Sequence, residues 1–495
     1  MSLYLILLFP FLSIALLFAL RSSQAVKWVS FIGSFVQLVL LIAFYFHFKS
    51  LEPSAASNPF KYQEQITWFP SVDIHFHIGI DGIALSLMLL TAVVMMGAVL
   101  VSWKIETLVK EYFILLFLLS MGAYGTFMSL NLIVLFFFLE LAVIPKFLLI
   151  SIWGSGNRKY SANKLAIMLI GASAFIFTGI VSLYFMLPEG ERSFDIVKLS
   201  LSTIDSNIQS LVYVLIFIGF GTFSAVVPFH NWVPDGHSSA PTAGSMLLAG
   251  ISMKLGGFGL LRIATYLFPL AAIQYAEIVI VVGTISILYG AVVTMMQKDL
   301  KYLNAYSSIS HCGFIILGMG MLTQTALNGA VIQLISHGIM TALFFAIIGM
   351  IYERTHTRTI GDMSGLLTTI PFISTILIIV GLCSLGLPGM SGFVSEMLVL
   401  MGSFEKPTLF HRAAAILSAM SIVITAVYIL RAVTKVTMGE TQVSHAGYRD
   451  ASWNEKLAAL LLVAAIFIIG LYPQWLIDLV SNDTKLIIDK ILLSK

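Results

Sequence analysis

The chain has 495 residues, of which 59% are hydrophobic and 10% charged, against about 25% charged in ordinary soluble domains. That balance excludes a soluble domain and marks a polytopic membrane protein, while a formal charge of +3 spread between apolar segments excludes a nucleic-acid-binding surface. The two cysteines, Cys312 and Cys383, lie singly in apolar segments, too few for an iron–sulfur cluster or a disulfide framework.

In chain order, the run from Leu3 to Leu20 has no basic n-region and no small-residue cleavage site, so it reads as a span and not a signal peptide. Apolar runs of about 20 residues then place spans near 2–21, 28–47, 83–103, 112–129, 131–153, 164–187, 209–231, 241–265, 275–297, 304–322, 325–352, 369–401, 410–436 and 455–478. The expected fold is therefore all-α, a polytopic membrane protein of about 14 transmembrane helices. Only Ser129-Leu130-Asn131 separates the fourth from the fifth.

Orientation follows from the basic residues. With the N-terminus outward, fifteen Lys and Arg fall on inner loops, while the outer loops hold six: Lys49, Lys61, Arg192, Lys198, Lys406 and Arg412. Positive charge accumulates on the cytoplasmic side, so both termini are expected to face outward from a bacterial cytoplasmic (inner) membrane.

Three basic residues, Lys146, Lys254 and Arg262, and two acids, Glu140 and Glu396, remain inside spans. Each costs about 2.5 to 3.5 kcal/mol at the bilayer centre on insertion scales, which makes it a functional candidate. At about 1.5 Å per residue, Glu140 lies roughly 14 Å past Asn131, near the midplane of a core about 30 Å thick. Lys254, counted from Pro241, reaches a similar depth. Arg262 lies near the outer end of its span and is expected to snorkel to the interface.

Two spans are interrupted, 209–231 by Pro228 and 369–401 by GLPGMSG, because proline lacks an N–H and clashes with the preceding turn. Broken helices in corresponding positions of two halves point to inverted repeats with an ion path at their interface. We expect two inverted five-helix repeats, helices 4–8 and 9–13. Residues 1–111 then hold three helices and an outer loop, 112–265 and 266–436 the two repeats, and 437–495 an inner loop, the last helix and a tail.

The stretch HNWVPDGHSSAPTAGSMLLAGISMK, residues 230–254, strongly resembles the signature H-x-W-x-P-D-x-H-x-x-A-P-T of the antiporter-like membrane subunits of respiratory complex I. Relatives carrying it occur in Mrp-type sodium/proton antiporters and membrane hydrogenases. DGIALSLMLL at 81–90, YSSISHCGF at 306–314 and SHGIMTALFF at 336–345 agree with it. GLPGMSGFVSEMLVLMGSF, which carries Glu396, resembles the chain M (subunit 4) type, whose sister chains and Mrp counterparts usually present Lys there.

The resemblance implies a non-redox, proton-translocating subunit of NADH:quinone oxidoreductase, a translocase of the respiratory electron-transport chain. NADH, FMN, iron–sulfur clusters and quinone are then expected in partner subunits, with neighbouring antiporter-like chains and lipids as contacts and no cofactor in this chain. The sequence agrees in having no Gly-rich dinucleotide fingerprint, cysteine cluster or haem motif. The family's pattern assigns Glu140 as gate carboxylate, Lys254 as central ammonium, His311 and His337 as carriers along the midplane, and Glu396 as outlet. His230 and His237 are candidates for the entry, with backbone satisfaction in the loop as the plain alternative.

Each role has a bland rival: Glu140, Lys254 and the two central histidines could be satisfied polar groups between packed helices, and Pro145 and Pro228 could be packing kinks. One position departs from the family. A Lys usually stands five residues before the Pro that opens the P-x-H-x-W stretch, and here that position is Phe223, while Lys146 stands where the family generally has an uncharged residue. Lys146 either takes part in Glu140's chemistry or snorkels to the inner surface. An Mrp-type cation/proton antiporter or hydrogenase subunit shares most motifs, with Glu396 against it. A scaffold that no longer pumps has Phe223 in its favour.

Overall fold

Lipid offers no hydrogen bonds, so an apolar chain must satisfy its own N–H and C=O groups, which helices do within one segment. The computed structural model describes residues 2–51, 59–440 and 447–494 and is helical along most of them. The first elements are α1 (Tyr4–Ala19), α2 (Ser23–Ser50), a hairpin of β1 (Lys61–Phe69) and β2 (Ile74–Ile80), then α3 (Gly82–Val101), α4 (Val109–Met128), α5 (Leu132–Trp153) and α6 (Arg158–Met186). After the short α7 (Ile196–Leu201) come α8 (Ser206–Phe223) and α9 (Trp232–Ser239). A continuous helical run, Thr242–Thr265, contains α10 (Thr242–Leu247) and α11 (Met253–Gly259), with π-helical turns at Leu248–Ser252 and Leu260–Thr265.

The second half holds α12 (Pro269–Gln274), α13 (Ala276–Met295), α14 (Leu300–Gly320) and α15 (Gln324–Thr355). Then follow α16 (Leu366–Thr369), α17 (Pro371–Ser384), α18 (Ser391–Phe404), α19 (Leu409–Thr437), α20 (Trp453–Leu471) and α21 (Gln474–Leu493). Among the described residues, eleven helices are long and apolar enough to cross a membrane. The remaining three expected spans hold α1, α14 and the broken pair α17–α18.

Side-chain caps set several helix starts by accepting orphan N–H groups. Asp81 accepts from Ala84 N at 2.8 Å, Asn131 from Ile133 N at 3.0 Å, and Asp299 from Lys301 N at 2.7 Å. The apolar stretches of Thr242–Thr265 and α15 are buried throughout, whereas α2, α6, α19 and α20 turn one face outward. The interior is thus built around the two elements that carry Lys254 and His337.

Both interrupted spans are breaks and not kinks. The span expected at 209–231 ends at Phe223, five residues before Pro228, and Ala225 adopts a left-handed conformation (φ 59°). Pro228 cannot continue a helix and biases the residue before it away from helical geometry, so the chain leaves the axis earlier than the proline itself. In the second break, Gly386 (φ 76°) and Gly389 (φ 91°) carry the chain from α17 to α18.

Three features differ from the expectation, the first being that the segment expected as a C-terminal tail forms the helix α21. The segment between α2 and α3, expected as an outer loop, pairs as an antiparallel hairpin, Gln65 opposite His77 and Lys61 opposite Ile80. Arg262 does not snorkel: it is 4% exposed and its Nη2 pairs with Asp81 Oδ2, with the guanidinium 4.8 Å from the Phe60 ring centroid and 5.3 Å from that of Phe258. Asp483 of α21 joins this cluster, accepting from Ile83 N at 3.1 Å. Paired with a fixed carboxylate and flanked by aromatic faces, the buried guanidinium has its charge compensated where it stands and does not need to reach the interface.

The hairpin is anchored by His77 Nδ1 and Asp195 Oδ2 at 2.5 Å, both buried. Burial alone would raise the Asp195 carboxyl, but His77 and the N–H groups of Lys198 and Val197 hold it below the usual aspartate range. A folded value below the unfolded one means that the stabilisation is present above about pH 4 and is lost as pH falls through the depressed value. Unfolding of the detergent-solubilised protein is expected to show this acid-side loss, and Asp195→Asn is expected to lower stability at neutral pH and flatten that limb; an unchanged acid limb overturns the assignment.

Candidate functional site

Lys254 sits on α11, between the two π turns, and is fully buried. Its Nζ donates to the carbonyl of Ala249, five residues back in the first π turn, at 2.5 Å. It also donates to His337 Nδ1 of α15 at 2.9 Å. A π turn displaces the backbone hydrogen bonds of a helix and recurs at functional sites, and here it provides the ammonium with a partner inside the membrane.

With Nδ1 accepting, neutral His337 carries its proton on Nε2, which has no hydrogen-bond partner. The rings of His337 and His311 lie 5.4 Å apart, tilted by 33°. His311, on α14, places Nδ1 3.1 Å from Glu396 Oε1 and Nε2 3.3 Å from Ser384 Oγ. Lys254, His337, His311 and Glu396 therefore form one chain of buried titratable groups from the first half of the protein into the second break. The His337–His311 step is the one that requires a ring rotation or a single bridging water.

The break positions Glu396. Ser395 donates to Gln333 Oε1, and Gln333 Nε2 lies 3.4 Å from His311 Nδ1, so the same turn of α18 fixes both the acid and its histidine partner. A Cβ on Gly386 would stand 3.1 Å from Glu396 Oε2. Glycine is needed there for the positive φ and for the close approach of the carboxylate.

Glu140 and Lys146 stand apart from that chain. Glu140 is half-buried on α5 and accepts from Ser173 Oγ of α6. Lys146 is 1% exposed; its Nζ has no hydrogen-bond partner and lies 5.5 Å from the centroid of the Phe223 ring. Snorkelling is excluded, and so is a direct ion pair with Glu140. A desolvated cation–π contact returns about 2 kcal/mol, less than the about 2.5 to 3.5 kcal/mol for placing the charge in the bilayer core. Phe223 closes α8, and the next residue, Ser224, donates from Oγ to Met253 O at 3.4 Å. The broken end of α8 thus lies between Lys146 and the Lys254 helix. A Cβ on Gly256 would meet Ser224 N at 2.4 Å, so only glycine permits this approach.

The signature stretch closes the same region. Trp232 Nε1 donates to Thr222 O at 2.9 Å, sharing with Ala225 N (3.1 Å) a carbonyl at the end of the helix. Asp235 pairs with Lys164 at 2.6 Å, Lys301 donates to Ala240 O at 2.7 Å and Arg358 to Ser238 O at 2.7 Å. His230 Nε2 meets Tyr289 OH at 3.2 Å. His237 is fully buried and stacked on Phe345 at 5.0 Å, and neither ring nitrogen has a partner, so it does not serve the loop backbone. Gln333, Ser384 and Ser173 were invisible as site residues in sequence, because a neutral polar residue in a helix carries no signal until its neighbour is known.

Helices broken in two halves, with ionisable side chains converging at the breaks, define this protein as an ion-translocating membrane chain of the antiporter-like class. Residues 129–425 match the family described as NADH:quinone oxidoreductase/Mrp antiporter, TM, and the chain belongs to that family. It is 34% identical over 434 residues to NADH-quinone oxidoreductase subunit M of Rickettsia prowazekii, covering 86% of each chain. It is 35% identical over 459 residues to an NAD(P)H-quinone oxidoreductase chain 4 of Synechococcus elongatus, covering 92% of this chain and 85% of that one. A chain of respiratory complex I from Thermus thermophilus superposes with a TM-score of 0.87 at 25% identity, covering 98% of this chain and 100% of that one. A chain of the Mrp complex from a Dietzia species shares the fold, with a TM-score of 0.85 at 18% identity, over 98% and 99% of the two chains.

Gly386→Ala and Gly389→Ala separate backbone strain from carboxylate placement. Both demand left-handed backbone and are expected to cost about 1 to 2 kcal/mol of stability, but the nearest atom to a Cβ at 389 is Leu471 Cδ2, at 3.7 Å. Proton uptake into proteoliposomes is expected to fall only for Gly386→Ala; equal effects mean that the glycine serves the turn alone.

Proposed function

We propose that this chain is the proton-translocating, non-redox membrane subunit of an NADH:quinone oxidoreductase, of the subunit M (chain 4) type. It sits in a bacterial cytoplasmic membrane, with both termini outward, against neighbouring antiporter-like subunits. Electron transfer from NADH through FMN and iron–sulfur clusters to quinone takes place in partner chains, and this chain converts its free energy into proton movement. The observation that carries the reading is the buried sequence Lys254, His337, His311, Glu396, in which two of the three steps are direct hydrogen-bond contacts and the middle one is a ring-to-ring approach of 5.4 Å. Burial of such groups is costly and is the expected signature of a proton path.

In this reading Glu140 loads the first half, His230 and His237 stand at the inner entry, and Lys254 passes its proton to His337 when a neighbouring charge moves. His311 hands it to Glu396 at the second break. The two units 112–265 and 266–436, each with one broken helix, act as the two halves of the path.

Glu396→Gln keeps the shape and hydrogen bonding of the acid but cannot titrate. Proton pumping coupled to NADH oxidation is expected to fall by about 10²-fold, as for loss of a proton-transfer group, with assembly intact. A normal proton-to-electron ratio in proteoliposomes removes Glu396 from the path. At Lys254, Ala is expected to abolish pumping and Arg to leave it well below native, because guanidinium is effectively always protonated. Full activity of Lys254→Arg would assign the residue as a fixed charge.

A further inference from the structure

Lys146 is a buried ammonium that the relay does not use: 1% exposed, without a hydrogen-bond partner, and held against one aromatic face. Three observations locate it. It shares α5 with Glu140, which stands six residues earlier on the same helix. It stands directly after Pro145, whose missing N–H leaves the carbonyl one turn earlier without its helical partner, a polar lining for the stretch between the two residues. Its Nζ faces Phe223, the last residue of α8, and the adjoining Ser224 touches the backbone of Met253, next to Lys254. A methionine of similar length would fill this place without cost, so packing does not explain an amine here.

We propose that Lys146 is a proton carrier linking Glu140 to the Lys254 helix, with the Phe223 ring holding its ammonium form at the broken end of α8. The inference rests on the proton-translocation reading above and adds the first-half link that the relay lacks. In the forward step an N–H bond of the ammonium breaks, the proton passes to a water on the Lys254 side, and the lone pair stays on a neutral amine. The amine is then recharged by a proton from the Glu140 carboxylic acid through a second water, leaving the carboxylate. No electrons are exchanged, and water is the only co-reactant. The ring favours the charged form because a cation over its face is attracted by the quadrupole and a neutral amine is not, so Phe223 biases Lys146 toward holding its proton until Glu140 or Lys254 changes charge.

The test is a cycle of pumping rates in the assembled complex: Lys146→Met, Phe223→Lys, the double variant and Lys146→Arg, with assembly followed on native gels. Lys146→Met is expected to lower pumping by about tenfold or more. Phe223→Lys alone places two ammoniums together and is expected to impair it. The double variant returns one amine to the same spot from α8 and is expected to recover much of the loss, giving a positive interaction. Lys146→Arg keeps charge and bulk but cannot release a proton, so it is expected to stay impaired.

Native pumping by Lys146→Met, native pumping by Lys146→Arg, or no interaction in the cycle each overturns the proposal. If Lys146→Met fails to assemble, Lys146→Arg decides alone. Lys254→Ala is the reference: when it abolishes pumping while Lys146→Met does not, only this inference falls, and when both leave pumping intact, the relay falls with it.

Discussion

The absence of hydrogen-bonding solvent in the bilayer core governs the rest of this structure. Every backbone group that leaves a helix there must find a partner in the protein. Among the described residues, the chain leaves its helices at two deep places and provides for both. At the first, Trp232 takes the Thr222 carbonyl, and Ser286 Oγ accepts from Val227 N at 3.1 Å. At the second, left-handed glycines turn the chain and Gln333 holds Ser395. The signature stretch is therefore as much a plug for a broken helix as a source of titratable groups.

The same constraint explains where the charges lie. An ammonium or carboxylate is tolerated in lipid when polar groups are already exposed for it, and breaks and π turns are where such groups occur. Lys254 uses a carbonyl within a π turn, and Glu396 stands beside the Gly386 turn. The two halves differ in how completely they meet this demand. From Lys254 to Glu396 each group touches the next or faces it ring to ring, whereas on the other side the Lys146 ammonium has no hydrogen-bond partner and lies against an aromatic face.

A second set of buried charges works differently. Asp81, Arg262 and Asp483 come from the start of α3, the end of the Lys254 run and the terminal helix α21, and they tie these three elements at one end of the molecule. Arg262 cannot give up its proton under ordinary conditions, so this cluster is suited to holding position and not to relaying protons. It fixes the helix that carries Lys254 at its C-terminal end, while Lys301 and Arg358 fix the signature stretch at the other.

The sequence by itself determined the solvent, the helical class, the two breaks and the deep titratable residues, because hydropathy and proline act locally and need no knowledge of packing. With the signature stretch it also determined the family. It did not determine which of these residues meet. His311 and Glu396 lie 85 positions apart, and Asp81 and Asp483 share a site across almost the whole chain; such pairings depend on helix rotation and crossing, over which an apolar segment is nearly degenerate. For that reason Arg262 and Lys146, both compatible with snorkelling when counted along an isolated helix, turned inward. The hairpin at 61–80 escaped the reading because its strands lie outside the apolar runs. Tertiary structure alone chose the partners, since the energy of a buried charge is set by what stands within a few ångströms of it and not by its place in the chain.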